Sequence, residues 1–235
     1  VGEASQRAGG AGAFAVGITG RRDSLLGRSA SRVLDLEIPS FESAPGVRSY
    51  LVSVLSLLLL AIRLGEVRGR YTMDQANAYR RDLLRQGEAL DSLLPAMDRQ
   101  AEALAERWKD FDAFDFAGAG KDLAAAWYGH AKVFEAVGKR AMCVNAEEWL
   151  HLNFFMRDVD TTGTSVVCTG RNRGICRVRE MVHHAAADMR RPTAVVTDEP
   201  ELFQGEGVNI FEIPKTEYDF SSALTNFVPL ALLAG

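Results

Sequence analysis

The sequence predicts an α/β protein in which short strands alternate with helices on both sides of a charged helical bridge. Three observations lead there. Short apolar or alternating runs recur between helical stretches before residue 65 and again after residue 111. The helical stretches between those runs are long enough to act as crossovers, which neighbouring parallel strands require. Residues 73–109 differ from both flanks, because charges there recur between Leu, Ala and Met at helical spacing.

Residues 13–19, AFAVGIT, form an apolar run closed by Gly20, which reads as a buried strand leading into a loop. Asp23 and Ser24 offer caps for a short helix reaching Arg32. Residues 33–38, VLDLEI, alternate and stop at Pro39, as a strand does. After the turn-rich residues 39–46, an apolar helix is predicted over 47–64, closed by Gly65 and buried. Pro95 divides the charged run into two amphipathic helices bridging two modules. Beyond it the alternation predicts strands at 114–117, 140–144, 165–169, 193–197 and 208–213. Helices are predicted at 121–137, 146–155 and 174–189, with a last one from about residue 220. The domain reading is 1–72 for part of a first module, 73–110 for the bridge and 111–235 for the second module.

Composition narrows the function. A chain of 235 residues that is 47% hydrophobic can bury a full core. A net charge of −4 gives no broad reason to follow a phosphate backbone, so nucleic acid is not expected as a partner. Cys143, Cys168 and Cys176 form no CxxC pair and have no histidine at zinc-finger spacing, so they suit a reducing cytoplasm, with neither a disulfide framework nor a metal. Residues 50–64 fall short of the ~20 apolar residues that cross a bilayer, so no membrane span is expected. No basic segment followed by an apolar one opens the chain, and Val1 in place of Met suggests that the natural beginning is absent.

The run FAGAGKD places Gly118 and Gly120 where a strand turns into a helix, a geometry that can present backbone N–H groups to an anion or be a plain tight turn. It is neither a Walker A loop nor a complete GxGxxG fingerprint. Lys132 and Glu135 share a helical face at i,i+3, where a salt bridge is the ordinary outcome. The functional alternative is a cleft carboxylate beside a cation, able to shuttle a proton between adjacent carbons. Glu148 and His151 form one Glu-x-x-His pair, and a di-metal carboxylate site needs two. His130, His183 and His184 have no partner signature, and Asp188 with the arginines of MRRP reads as a solvated helix end. No GxSxG elbow and no HExxH helix is present.

Taken together, these segments resemble the tandem sugar isomerase (SIS) domains found in the isomerase region of glucosamine-fructose-6-phosphate aminotransferase. The most specific part is FAGAGKDLAAAWYGHAKVFEAVGK, similar to that family's strand, Gly-x-Gly turn and helix ending in Lys-x-x-Glu. The following NAEEWLH resembles its Gly-Glu-x-x-His segment, PGVRSY its Gly-Val-Ala-Ser-Thr stretch, and TNFVPLALLA its last helix. ITGRRDSLLGRSASRVLDLE resembles the strand-loop-helix-strand before the substrate segment. Two departures stand out: His-Gly-Pro becomes His151-Leu152-Asn153, and Thr-Lys after the substrate serine becomes Tyr50-Leu51.

The resemblance implies two flavodoxin-like SIS modules, each a parallel sheet sandwiched by helices. It implies that Glu135 moves a proton between C1 and C2 of an open-chain sugar phosphate or amino-sugar phosphate, with Lys132 polarising sugar oxygens. His151 would assist ring opening from the neighbouring subunit of a homodimer, and Glu148 would orient the site. Val47 and Ser49 would lie near the sugar, with Gly118 and Gly120 in the binding loop and no cofactor. The implied activity is aldose-ketose isomerisation, deamination or deglycation, without a glutamine-hydrolysing domain. The alternative is a sugar-phosphate-binding sensor or regulatory subunit without turnover.

Overall fold

The computed structural model describes residues 1–38, 46–157 and 159–235. Its contacts divide the chain into two units, Val1–Ala61 and Ile62–Gly235.

The first unit holds helix α1 (Gly2–Gly10), strand β1 (Val16–Thr19), helix α2 (Leu25–Ser29), strand β2 (Arg32–Asp35) and most of helix α3 (Val47–Val67). β1 and β2 pair in parallel, Val16 opposite Arg32 through Thr19 opposite Asp35. Ser24 caps α2, its hydroxyl accepting the Gly27 N–H at 3.2 Å. α1 has no counterpart in the sequence reading, because glycines at 2, 9 and 10 mask its helical character. β1 begins at Val16 and leaves Phe14 exposed, and β2 stops at Asp35. The turn read over 39–46 lies, for residues 39–45, outside the described residues.

α3 corrects two readings. It is 21 residues long with Ile62 as its one fully buried side chain, while Leu57, Leu59, Leu64 and Val67 are exposed. It is thus no buried core helix, and it is the one helix among the described residues long and apolar enough, by length and composition, to cross a membrane. Gly65 does not close it either. A Cβ there would stand 2.2 Å from the Tyr71 hydroxyl oxygen, and that hydroxyl donates to the Ile62 carbonyl at 2.7 Å. Gly65 therefore makes room for a ring, and the left-handed position falls at Gly69, φ +63°.

In the second unit α4 (Met73–Trp108) runs 36 residues straight through Pro95, where the sequence suggests two helices. Proline removes one internal hydrogen bond, but packing on both sides keeps the helix whole. Ala76, Leu83 and Gln86 are buried before it, and Met97, Ala101, Leu104 and Trp108 after it. Thr72 caps its start by accepting the Gln75 N–H at 3.2 Å.

Five parallel strands follow: β3 (Ala113–Gly118), β4 (Arg140–Asn145), β5 (Thr162–Val167), β6 (Thr193–Thr197) and β7 (Val208–Glu212). Their spatial order is β4-β3-β5-β6-β7, the 2-1-3-4-5 order of flavodoxin-like sheets. α5 (Leu123–Lys132) and α4 both pack against α8 (Val228–Leu233), and α6 (Ala146–Leu152) packs with α7 (Ile175–His183). Phe116, Val166, Val167, Val195 and Val196 are 0–1% exposed, so the central strands β3, β5 and β6 are covered on both faces.

The helix end before Pro192 is solvated at Asp188 and Arg190, as read, but not at Arg191. Arg191 is 1% exposed; its Nη2 donates to Asp115 Oδ2 at 2.9 Å, and its guanidinium lies 5.3 Å from the centre of the Trp149 ring. Trp149 Nε1 and Asn153 Nδ2 donate to the same Asp115 oxygen at 3.2 and 2.9 Å. Burial pushes the Arg191 pKa down, opposed by the Asp115 charge.

Candidate functional site

Sequence points to the stretch from α5 to α6, and the structure sorts its residues by place. α5 leaves the carboxyl end of β3 and runs back along the sheet, ending in a π-helical turn, Val133–Val137. Gly138, φ +70°, closes that turn, its N–H donating to the Val133 carbonyl at 2.9 Å. π-turns of this kind are common at functional sites. Glu135 lies in the middle of it with a side chain 53% exposed, held by the ammonium of Lys132, whose side chain is 8% exposed. That ammonium also lies 5.1 Å from the centre of the Tyr128 ring. The burial of Lys132 makes the pair more than a surface charge contact, since an ammonium so placed holds a carboxylate at a set position.

Gly118 and Gly120 stand at the other end of α5. From Leu123 to Glu135 the helix rises about 18 Å, so the glycine turn and the Lys132–Glu135 pair do not line one pocket of this unit. Gly118 is required by packing, since a Cβ would lie 3.0 Å from the backbone of Asp122 and Leu123, and Gly120 by its φ of +53°.

α6 starts at Asn145, whose side chain accepts the Glu147 N–H at 3.0 Å. Glu148 and His151 are both exposed on it. His151 Nε2 lies 3.2 Å from Glu147 Oε1, and Glu147 is also held by Arg177, which lowers its pKa. Val47 and Ser49 belong to the first unit, at the start of α3, where the Ser49 hydroxyl donates to the Gly46 carbonyl at 3.1 Å.

One feature joins the two catalytic candidates. β4 is an edge strand with no strand partner on its outer side among the described residues, whereas the opposite edge is covered by α4, where Gln100 Nε2 donates to the Ile210 carbonyl at 2.7 Å. Trp127, Phe134, Val137, Met142, Leu152, Phe154 and Phe155 are exposed on β4 and the two helical segments flanking it. No large apolar side chain described after Phe155 is exposed. Glu135 lies between Phe134 and Val137, and His151 beside Leu152, so both sit within this apolar margin. An edge strand with exposed aromatics on the segments before and after it marks an interaction surface.

A second polar cluster escapes sequence reasoning. Beyond the carboxyl ends of β3 and β5, Lys121 Nζ donates to Thr169 Oγ1 at 2.7 Å and Ser222 Oγ at 2.9 Å, and lies 3.2 Å from Asp219 Oδ1. Asp122, fully buried, accepts from the Thr169 N–H at 2.9 Å and from Asn172 Nδ2 at 2.6 Å. Asp198 accepts the Gly170 N–H at 2.6 Å, and burial raises its pKa. The one sequence signal is the Lys121-Asp122 pair after the glycine turn.

No protein-family model matches the sequence, and no curated protein does. Solved structures do. The C-terminal domain of glucosamine-fructose-6-phosphate aminotransferase from Francisella tularensis superposes with a TM-score of 0.87 at 16% identity, over 99% of this chain and 65% of that one. A Clostridium difficile protein described provisionally as a phosphosugar isomerase gives 0.80 at 14%, over 100% and 64%. The sugar isomerase domain of an RpiR transcription factor from Sphaerobacter thermophilus gives 0.50 at 18%, over 64% and 84%. The fold is that of sugar isomerase domains. The chain spans about two thirds of the first two structures, 65% and 64% of their lengths. In this SIS fold the β4 margin and the crevice between β3 and β5 are separate places, and the sequence-derived catalytic candidates lie at the first.

Proposed function

We propose that the protein is a sugar-phosphate-handling SIS protein in which Glu135 moves a proton between C1 and C2 of an open-chain sugar phosphate or amino-sugar phosphate, through an enediol-type intermediate. The observation that carries this is the half-exposed Glu135 carboxylate, pinned by buried Lys132 within an apolar margin that is uncovered among the described residues. A carboxylate in open water is a weak base. Covered by a second subunit, it would be shielded from bulk water and face the sugar carbons, while Lys132 keeps it in place. The protein therefore acts as a homodimer in which the partner's His151 assists ring opening and Glu148 orients the site. Residues 1–72 are the later part of a first SIS module contributing Val47 and Ser49 near the sugar, 73–110 the bridge and 111–235 the second module.

The test is solvent exchange at C2 of a hexose phosphate in D₂O. Glu135→Gln is expected to lose exchange while keeping ligand binding; full exchange in that variant removes Glu135 from the base role. A second reading, a sensor that binds without turnover, has its own support in His151 being held at 3.2 Å from Glu147, and in the likeness to a transcription factor's domain. Incubation with hexose, hexosamine and glycated-amine phosphates separates the two. Product in mass spectra supports the enzyme, and thermal stabilisation without product supports the sensor.

A further inference from the structure

The chain reverses its direction across the sheet between β3 and β5, which makes the crevice beyond their carboxyl ends the switch point where such sheets hold ligands. An oxyanion there needs a loop N–H, a hydroxyl, an amide and a cation. All four are present and converge. The Thr169 N–H lies 2.9 Å from Asp122 Oδ2, and Thr169 Oγ1 donates to the same oxygen at 3.0 Å. Asn172 Nδ2 reaches it at 2.6 Å, and Lys121 Nζ lies 3.1 Å from Oδ1. Asn226 Nδ2 adds a longer contact of 3.5 Å to Oδ1. The group they surround is the chain's own carboxylate, on a residue 0% exposed.

We propose that Asp122 is a built-in occupant of an oxyanion cradle, so that the switch-point crevice of the five-stranded unit is closed to external anions and opens to them only when that carboxylate is removed. The donor set is complete and the charge balance met by Lys121, so an arriving phosphate would have to displace a covalently tethered anion that carries no binding entropy cost. The mirror consequence is that the phosphate of any sugar phosphate is held elsewhere in the protein. This stands independently of Glu135.

The experiment compares the full chain with Asp122→Ala and Asp122→Asn, using sodium formate and inorganic phosphate as probes against sodium chloride of equal ionic strength. Formate is the detached equivalent of the missing carboxylate. At ten times Kd, formate or phosphate is expected to raise the Tm of Asp122→Ala by about 3–6 °C. Neither is expected to stabilise Asp122→Asn, whose side chain still fills the crevice. If Asp122→Ala is unfolded, the same ions are expected to restore its folded fraction. Two results overturn the proposal: no rescue of Asp122→Ala by either ion beyond the chloride control, or a phosphate effect on wild type that Lys121→Ala abolishes. A phosphate effect on wild type that Lys121→Ala leaves unchanged supports it, placing the phosphate elsewhere.

Discussion

Asp115 and Arg191 are each 1% exposed, so removing one leaves the other charged and out of water. Breaking a buried pair in this way costs about 3–5 kcal/mol. At about 2–4 °C per kcal/mol for a unit of this size, Asp115→Ala and Arg191→Ala are each expected to lower Tm by roughly 6–20 °C. The double replacement Asp115→Leu with Arg191→Met behaves differently. Among the described residues Arg191 Nε and Nη1 have no hydrogen-bond partner in their buried positions, and each unmet buried donor is worth about 1–3 kcal/mol against the fold. Taking the whole ion pair away removes those two unmet donors and strands two others, Trp149 Nε1 and Asn153 Nδ2, which lose their Asp115 acceptor, an exchange of two for two; Met keeps a flexible apolar chain against the Trp149 face that the guanidinium now covers at 5.3 Å. The double variant is therefore expected to lie within about 2 kcal/mol of wild type. Urea unfolding followed by tryptophan fluorescence measures all of these variants. Single losses below about 1 kcal/mol, or single losses that simply add in the double variant, would refute the claim that the two charges are coupled.

Gly129 faces Leu230 Cδ1 and Phe116 Cε1, both 2.7 Å from where a Cβ would stand, so Gly129→Ala is expected to lose about 1–3 kcal/mol in urea unfolding; an unchanged midpoint would mean that α5 and α8 separate freely. Asp198 has its pKa raised by burial, against the Gly170 N–H that lowers it. Its folded form thus disfavours the carboxylate: no penalty exists below the ordinary aspartate pKa, and the penalty grows as pH rises through that value and levels off above the folded pKa. Asp198→Asn keeps an acceptor for Gly170 and should gain on wild type as pH climbs through this window, read as a widening Tm gap between pH 3 and 7; a gap that narrows refutes the sign. Cys176 is exposed, Cys143 is half-buried with its thiol pushed up to about 11, and Cys168 is buried with its thiol pushed up by burial. A thiol reagent at neutral pH should label Cys176 first and Cys168 only on unfolding, which peptide mapping reads directly.

The alternation of short strands and helices after residue 111 is enough to predict this sheet, and β6 lies over Thr193–Thr197 as the apolar run marks it. Local patterns carry that information because the three central strands β3, β5 and β6 are covered on both faces and so are short runs of mostly apolar and small side chains. What local patterns miss are decisions made by distant partners. Pro95 reads as a break, yet α4 is held from both sides by contacts such as Gln86 to the Lys215 carbonyl at 3.0 Å, 129 residues away in the chain. Arg191 reads as solvated because arginines after a helix usually are; its partner, Asp115, lies 76 residues earlier in the middle of β3. The exposure of α3 is missed for the opposite reason, since an apolar helix carries no local mark of what covers it.

The candidate site divides along the same line. Lys132 and Glu135 are three residues apart, so their pairing follows from helix geometry, and the structure adds only that the lysine is buried. The cradle around Asp122 joins residues 47, 50 and 104 positions apart, and no spacing rule reaches that far. This is why the glycine turn supports two readings in the sequence. Gly118 answers to the close approach of Asp122 and Gly120 to its own backbone angle, and both demands exist whether or not an anion arrives. Glycines alone therefore cannot tell a ligand loop from a tight turn. The deciding group is the side chain that follows the turn: a residue without charge at position 122 would leave the Thr169 and Asn172 donors facing a vacancy, whereas aspartate supplies the anion from within the chain. The donors beside this Gly-x-Gly turn thus meet a carboxylate that follows the turn by two residues, and in this fold that internal competitor is seated.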